Sequence, residues 1–176
     1  MASNHVLQTN IGKLDEVLGG GLLSGHYIVL GEPGSGYEIM TRQILFHALQ
    51  QGKSGIYVAI DSSPERIKKE MKYFNWDLKQ FEEKGRFRFV DCSIYWVGLE
   101  QSSQKFFVKN IKNIADLRSA IIMARDEVGE DGVGVTETFS TLVNHIGFEK
   151  SLTLFNFLQG RLEQLNLIGL TMITSD

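Results

Sequence analysis

Short apolar runs alternate along this chain with longer stretches of helical period. "HYIVLG", residues 26–31, is an apolar run closed by glycine, as a buried strand would be. Beyond a glycine-rich turn, Ile39, Met40, Gln43, Ile44, Phe46 and Ala48 continue at helical spacing, with no breaker before Gly52. "GIYVAI", residues 55–60, predicts a second buried strand. In "SSPER", Ser63 is placed to cap a helix, Pro64 to take its first position and Glu65 its first turn, so a helix is predicted to about Phe74. "RFRFVD", residues 86–91, predicts a third strand in which Arg86 and Arg88 alternate with Phe87 and Phe89. An amphipathic helix follows over 114–129, then a strand in "VGVTE" (133–137), a helix over about 148–165 and a fifth strand in "IGLTMIT" (168–174). Residues 92–110, polar and aromatic without a clear period, are predicted to form a loop excursion.

Strands alternating with helices imply right-handed crossovers and an α/β fold, with a mostly parallel sheet covered by helices on both faces. A length of 176 residues predicts a single domain over 1–176. Hydrophobic residues at 43% and charged residues at 22% exclude a disordered or fibrous chain. A net charge of −3 offers no electrostatic argument for DNA or an anionic membrane as partner. Cys92 is the only cysteine, so no intramolecular disulfide forms and a reducing, cytoplasmic location is expected. The opening "MASNHVLQTN" has no cationic stretch followed by an apolar run, and the apolar runs elsewhere are strand-length, so a soluble protein is expected.

Candidate chemistry centres on "GEPGSGYEIM". Gly31 and Gly36 have the spacing of a phosphate-binding loop, at the carboxyl end of a strand where helix N–H groups and dipole favour an anion. Gly31, Glu32, Pro33, Gly34, Ser35, Gly36, Tyr37 and Glu38 are therefore the candidate nucleotide-binding loop. A tight strand-to-helix turn needs glycine whether or not it binds anything, so spacing alone leaves both readings open. A dinucleotide fingerprint fails, because the third glycine position is Ile39.

The upstream stretch "IGKLDEVLGGGLLSGHYIVLGEPGSG", with Leu14 and Asp15 followed by Val17, resembles the opening of RecA-superfamily ATPases of the KaiC and RadA type. "GIYVAIDSSPERI" is similar to that family's second strand and next helix start, "YFNWDLKQFEEKGRFRFVD" to its following unit, "VGVTETFSTL" to its Walker B segment and "GLTMITSD" to the next core strand. The resemblance implies a RecA-like, P-loop NTPase-type fold. It puts Tyr37 at the Walker A lysine, Glu38 at the serine or threonine, and Glu137 at the Walker B aspartate, the metal position. Asp61 and Ser62 stand where the family has paired glutamates, with Asp61 at the catalytic-carboxylate position.

Those substitutions remove the fixed cation for the β- and γ-phosphates and the hydroxyl that ligates Mg²⁺. Glu38 adds a carboxylate where phosphate approaches, and two unit charges at about 4 Å repel by about 4 kcal/mol at an effective dielectric near 20. Beside a helix N-terminus the same carboxylate gains about 0.3–1 kcal/mol, so Glu38 is expected to satisfy the anion site from within. Asp61 has two readings, a weak cation ligand or a strand-end aspartate capping the turn into the next helix.

The expected function is that of a non-hydrolysing KaiC/RadA-like component for binding, assembly or regulation, without a resident cofactor. The alternatives are a regulator that binds ATP or ADP and Mg²⁺ weakly, and an accessory of a RecA-type recombinase engaging DNA or an active paralogue. The resemblance implies a homo-oligomer or pairing with a RecA/KaiC-type paralogue, another protein or a peptide, and no membrane. Family members continue beyond the strand ending near Asp176, and without those C-terminal strands an open sheet edge or exposed apolar surface is expected.

Elsewhere, His5, His26, His47 and His145 lack metal-ligand spacing, and Cys92 reads as a small buried residue. "YFNW", residues 73–76, reads as core or interface filling, and residues 68–72 as a solvated helix face.

Overall fold

The computed structural model describes residues 6–165 and 167–175; His5 lies outside them. The apolar runs become strands β1 (Gly25–Gly31), β2 (Ser54–Ala59), β3 (Phe87–Asp91), β4 (Phe106–Phe107), β5 (Gly132–Thr136) and β6 (Ile168–Thr174). They form a six-stranded sheet in the order β1-β6-β5-β2-β3-β4, and every pairing is parallel. The helices are α1 (Gly12–Val17), α2 (Tyr37–Gln50), α3 (Pro64–Tyr73), α4 (Lys79–Glu83), α5 (Ile94–Val97), α6 (Ile114–Val128), α7 (Phe139–Ile146) and α8 (Phe148–Leu165).

Side chains alternate across the pleat, and each face of the sheet has its own core. Tyr57 and Ala59 of β2 join Leu45, Leu49, Ile67 and Met71 of α2 and α3. Val58, on the same strand, and Ile60 just beyond it join Leu117, Ile121, Leu142 and Leu154 of α6, α7 and α8 on the opposite side. Strands buried on both faces read as unbroken apolar runs, which explains why the central ones were plain in the sequence.

Residues 92–110 are a loop only in part. Phe106 is buried and pairs with Val90, adding β4 beside β3. Ile94 to Val97 form one helical turn, stopped at Gly98 with φ 65°. Two residues of strand and four of helix are too short to show a period. α7 also went unseen, because the loop-like start after Glu137 and the break at Gly147, φ 84°, separate it from the longer α8.

β1 is an edge strand, and Ile28 and Leu30 on it are 54% and 65% exposed. Among the described residues no helix is long and apolar enough to cross a membrane.

Candidate functional site

Parallel strands bring the ends of β1, β2, β5 and β6 to one rim of the sheet, and the loop after β1 turns there into α2. Gly34 and Gly36 have φ of 81° and 88°, and an added Cβ at either would meet nothing within 4 Å. Their glycines are required by backbone conformation, not by space. Gly31 is the reverse case: a Cβ there would lie 2.6 Å from Cδ1 of Tyr37.

The Tyr37 ring thus lies against the strand end from which the loop departs. Tyr37 is 7% exposed, and its hydroxyl is 3.0 Å from Oγ1 of Thr174 at the end of β6. Burial holds the phenol above its ordinary pKa, with the carboxylates of Glu38 and Asp61 acting in the same direction and the Thr174 hydrogen bond against it. Ser175 N–H donates to the Gly31 carbonyl at 3.0 Å, so backbone and side chain both tie this loop to β6. Tyr37 therefore packs between the first glycine of the loop and the end of β6. Glu38, in the first turn of α2, lines a neighbouring cleft of about 280 Å³ with Arg42, Asp61, Arg66, Glu70 and Glu137.

Glu137, just after β5, is 3% exposed and fully engaged. Its Oε2 accepts from the backbone N–H groups of Ile60, Asp61 and Ser62 at 2.9, 3.1 and 3.1 Å. Its Oε1 accepts from Arg42 at 3.4 Å and from the Tyr57 hydroxyl at 3.5 Å. Burial pushes the carboxyl above its ordinary value, while the three amides and Arg42 oppose that shift. An acceptor with five donors around it is used as an anion, and its work is to hold the turn after β2 against the end of β5.

Arg42 was not singled out in the sequence. It is 6% exposed and also reaches Glu70 at 2.7 Å, which in turn receives Arg66 at 2.8 Å. Burial works against its charge, but Tyr57, Glu70 and Glu137 together hold the guanidinium above its ordinary value. A signal existed: positions 42, 45, 46 and 49 form one helical stripe, and Arg42 is its charged member beside Leu45, Phe46 and Leu49.

Asp61 is exposed and does not cap α3. Ser63 does so, accepting from Arg66 N–H at 3.3 Å, while Asp61 accepts from the Thr141 hydroxyl of α7 at 2.9 Å. The cleft sets four carboxylates, Glu38, Asp61, Glu70 and Glu137, against two guanidiniums, Arg42 and Arg66, so it is anionic. Among the described residues no three His, Cys, Asp or Glu side chains converge as a metal site would require. A nucleotide polyphosphate with Mg²⁺ is poorly matched by these residues: positions 31–38 hold no cation, and the buried Glu137 carboxylate is already bonded to amides and Arg42.

The remaining candidates have structural partners. Cys92 is buried and its thiol is pushed up by that burial. His47 bonds Gln50 at 2.8 Å, His145 packs on Trp96, and His26 meets Thr171 at 2.7 Å. Phe74 stacks on Trp76 at 4.9 Å, while Tyr73 is 88% exposed.

Residues 7–138 match the family model for the KaiC ATPase. A UPF0273 protein of Pyrococcus furiosus is 30% identical over 149 residues, covering 84% of this chain and 60% of its own length. A UPF0273 protein of Thermotoga maritima is 32% identical over 137 residues, with coverages of 77% and 56%. The chain thus spans roughly half to three-fifths of the length of these curated relatives. A KaiC-like protein from Pyrococcus horikoshii superposes with a TM-score of 0.77 over 97% of this chain and 71% of that one, at 15% identity. That likeness agrees with the RecA-like α/β fold expected from the sequence.

Proposed function

Because the chain belongs to the KaiC ATPase family, we propose that it is a non-hydrolysing member, whose phosphate loop is closed by its own Tyr37 and which serves as a binding, assembly or regulatory component. One observation carries this reading: the Tyr37 ring lies so close to Gly31 that a Cβ would stand 2.6 Å from it, with its hydroxyl on Thr174. A neutral phenol replaces the cation that polyphosphate needs, and the four-to-two excess of carboxylates in the adjoining cleft repels the same ligand. The engagement of Glu137 with three backbone amides supports the reading from the metal side. The component's partner is then a second copy, an active relative or another protein.

Calorimetric titration with Mg·ATP tests it, on the native protein and on the Tyr37→Lys, Glu38→Thr double variant. The native protein is expected to give no heat of binding at millimolar nucleotide, and the double variant to recover binding. Micromolar binding by the native protein would overturn the reading. A second reading, a weak ATP- or ADP-responsive regulator, is favoured by one feature: Gly36 at the N-cap leaves the first N–H groups of α2 without a side-chain cap. A melting temperature that rises with millimolar ADP, in a protein that shows no turnover, would select it.

A further inference from the structure

On the sheet face covered by α6 and α8, the register sets His26, Gly169, Gly134 and Ile56 in one row across β1, β6, β5 and β2. Two adjacent glycines leave the middle of that row without side chains. Above Gly169 the space is filled, since a Cβ there would collide with Leu162 of α8. Above Gly134 it is not: a Cβ would find only Ile56, at 3.6 Å, an ordinary contact. Gly134 is not among the glycines of positive φ, so neither conformation nor crowding demands a glycine there. What its missing side chain creates is a cavity of about 70 Å³ between the sheet and the two helices. A space of about 40 Å³ adjoins it, with Arg125, Gly134 and Leu162 common to both walls.

The walls are apolar apart from a few groups, and two polar atoms of lining residues, Nδ1 of His26 and Nε of Arg125, are buried with no hydrogen-bond partner among the described residues. Buried polar atoms are nearly always paired, so these two mark an incomplete site. Their neighbours are already committed, Arg125 Nη1 to Asp126 at 2.9 Å and His26 Nε2 to Thr171 at 2.7 Å. The Nε–H of arginine only donates, so its missing partner is an acceptor, and the guanidinium charge favours an anion. Arg161 borders the same cavity and adds a second cation. Burial lowers the pKa of His26 and keeps its imidazole neutral, so the arginines set the charge of the ligand. An apolar cavity of about 150 Å³ holds benzene, which has six heavy atoms, so about 70 Å³ with the adjoining space suits a two- or three-carbon acid.

We propose that this cavity, on the face of the sheet away from α2, binds a short aliphatic carboxylate. The carboxylate accepts from Arg125 Nε–H, and the alkyl chain lies over Gly134 against Ile56, Val58, Ile121 and Leu158. The site is separate from the phosphate loop and does not depend on whether that loop binds nucleotide.

Acetate and propionate are the probes, titrated into the full chain and followed by the amide resonance of Gly169 in two-dimensional NMR. A saturable shift is expected with both acids, and none with propanol or propylamine at equal concentration. Arg125→Met should weaken binding at least tenfold. Gly134→Val, which fills the cavity from its floor with a residue suited to a strand, should abolish the shift without lowering the melting temperature. Propanol saturating the same resonance at the same midpoint, an undiminished propionate shift in Gly134→Val, or no saturable shift in the native protein would each overturn the proposal. Should Arg125→Met fail to fold, the acid-to-alcohol comparison and Gly134→Val decide between the same outcomes.

Discussion

At Tyr37 one neutral side chain occupies the space beside the strand end: its ring lies against Gly31 and its hydroxyl meets Thr174. At Glu137 a carboxylate bridges the turn after β2 and Arg42 of α2. Glu137→Gln puts an amide NH₂ against either the three backbone donors or the guanidinium, leaving buried charge uncompensated. Breaking a buried pair in this way costs about 3–5 kcal/mol, to be read by urea denaturation. A loss below about 1 kcal/mol would mean that the network contributes little to joining β2, β5 and α2. The structure sets Tyr37, Glu38, Asp61 and Glu137 near one rim of the sheet, at the strand ends and helix start that the apolar runs of the sequence marked. What they do there was less legible. The ring of Tyr37 acts through shape, and Asp61 turns to Thr141 and not to α3, neither of which residue type reveals. Arg42 was missed because a sequence marks a charge without saying that it is buried.

Among the elements, the far side of the sheet is fastened by charge. Arg88 of β3 donates to Glu127 of α6 at 2.6 Å, and Lys105, just before β4, pairs with the same carboxylate. Lys105 first and Arg88 second hold Glu127 below its ordinary value of 4.5. Glu70 is also held low: burial acts to raise it, but Arg66 and Arg42 outweigh that. The folded state therefore binds fewer protons than the unfolded chain in this range. Stability from these groups is complete above about pH 4.5 and is lost as the pH falls below it. Glu127→Gln should narrow the difference between urea midpoints at pH 6 and pH 3.5, and an unchanged difference would remove Glu127 from the acid response. Element legibility followed length and burial. β2, β6, α6 and α8 were plain because each keeps one period over several residues. β4 and α7 were not, the first being two residues long and the second set off from α8 by a single glycine.

At the scale of the whole molecule, the sheet carries helices on both faces, and among the described residues no strand pairs with the outer side of β1. β1 carries no charged residue or proline, and Ile28 and Leu30 face solvent from it. Such an edge is open to pairing with other chains. Leu30→Lys should leave the unfolding free energy within about 0.5 kcal/mol of native while reducing light scattering on heating. A large loss of stability would instead mean that Leu30 is covered in solution. The tie from the loop after β1 to β6 also bears on time. A loop ordered by its own tyrosine and by the Ser175–Gly31 hydrogen bond does not wait for a ligand to become rigid. The amide of Ser175 should therefore exchange with deuterium as slowly in buffer as with added nucleotide, and Thr174→Val should hasten exchange at that end of β6 alone.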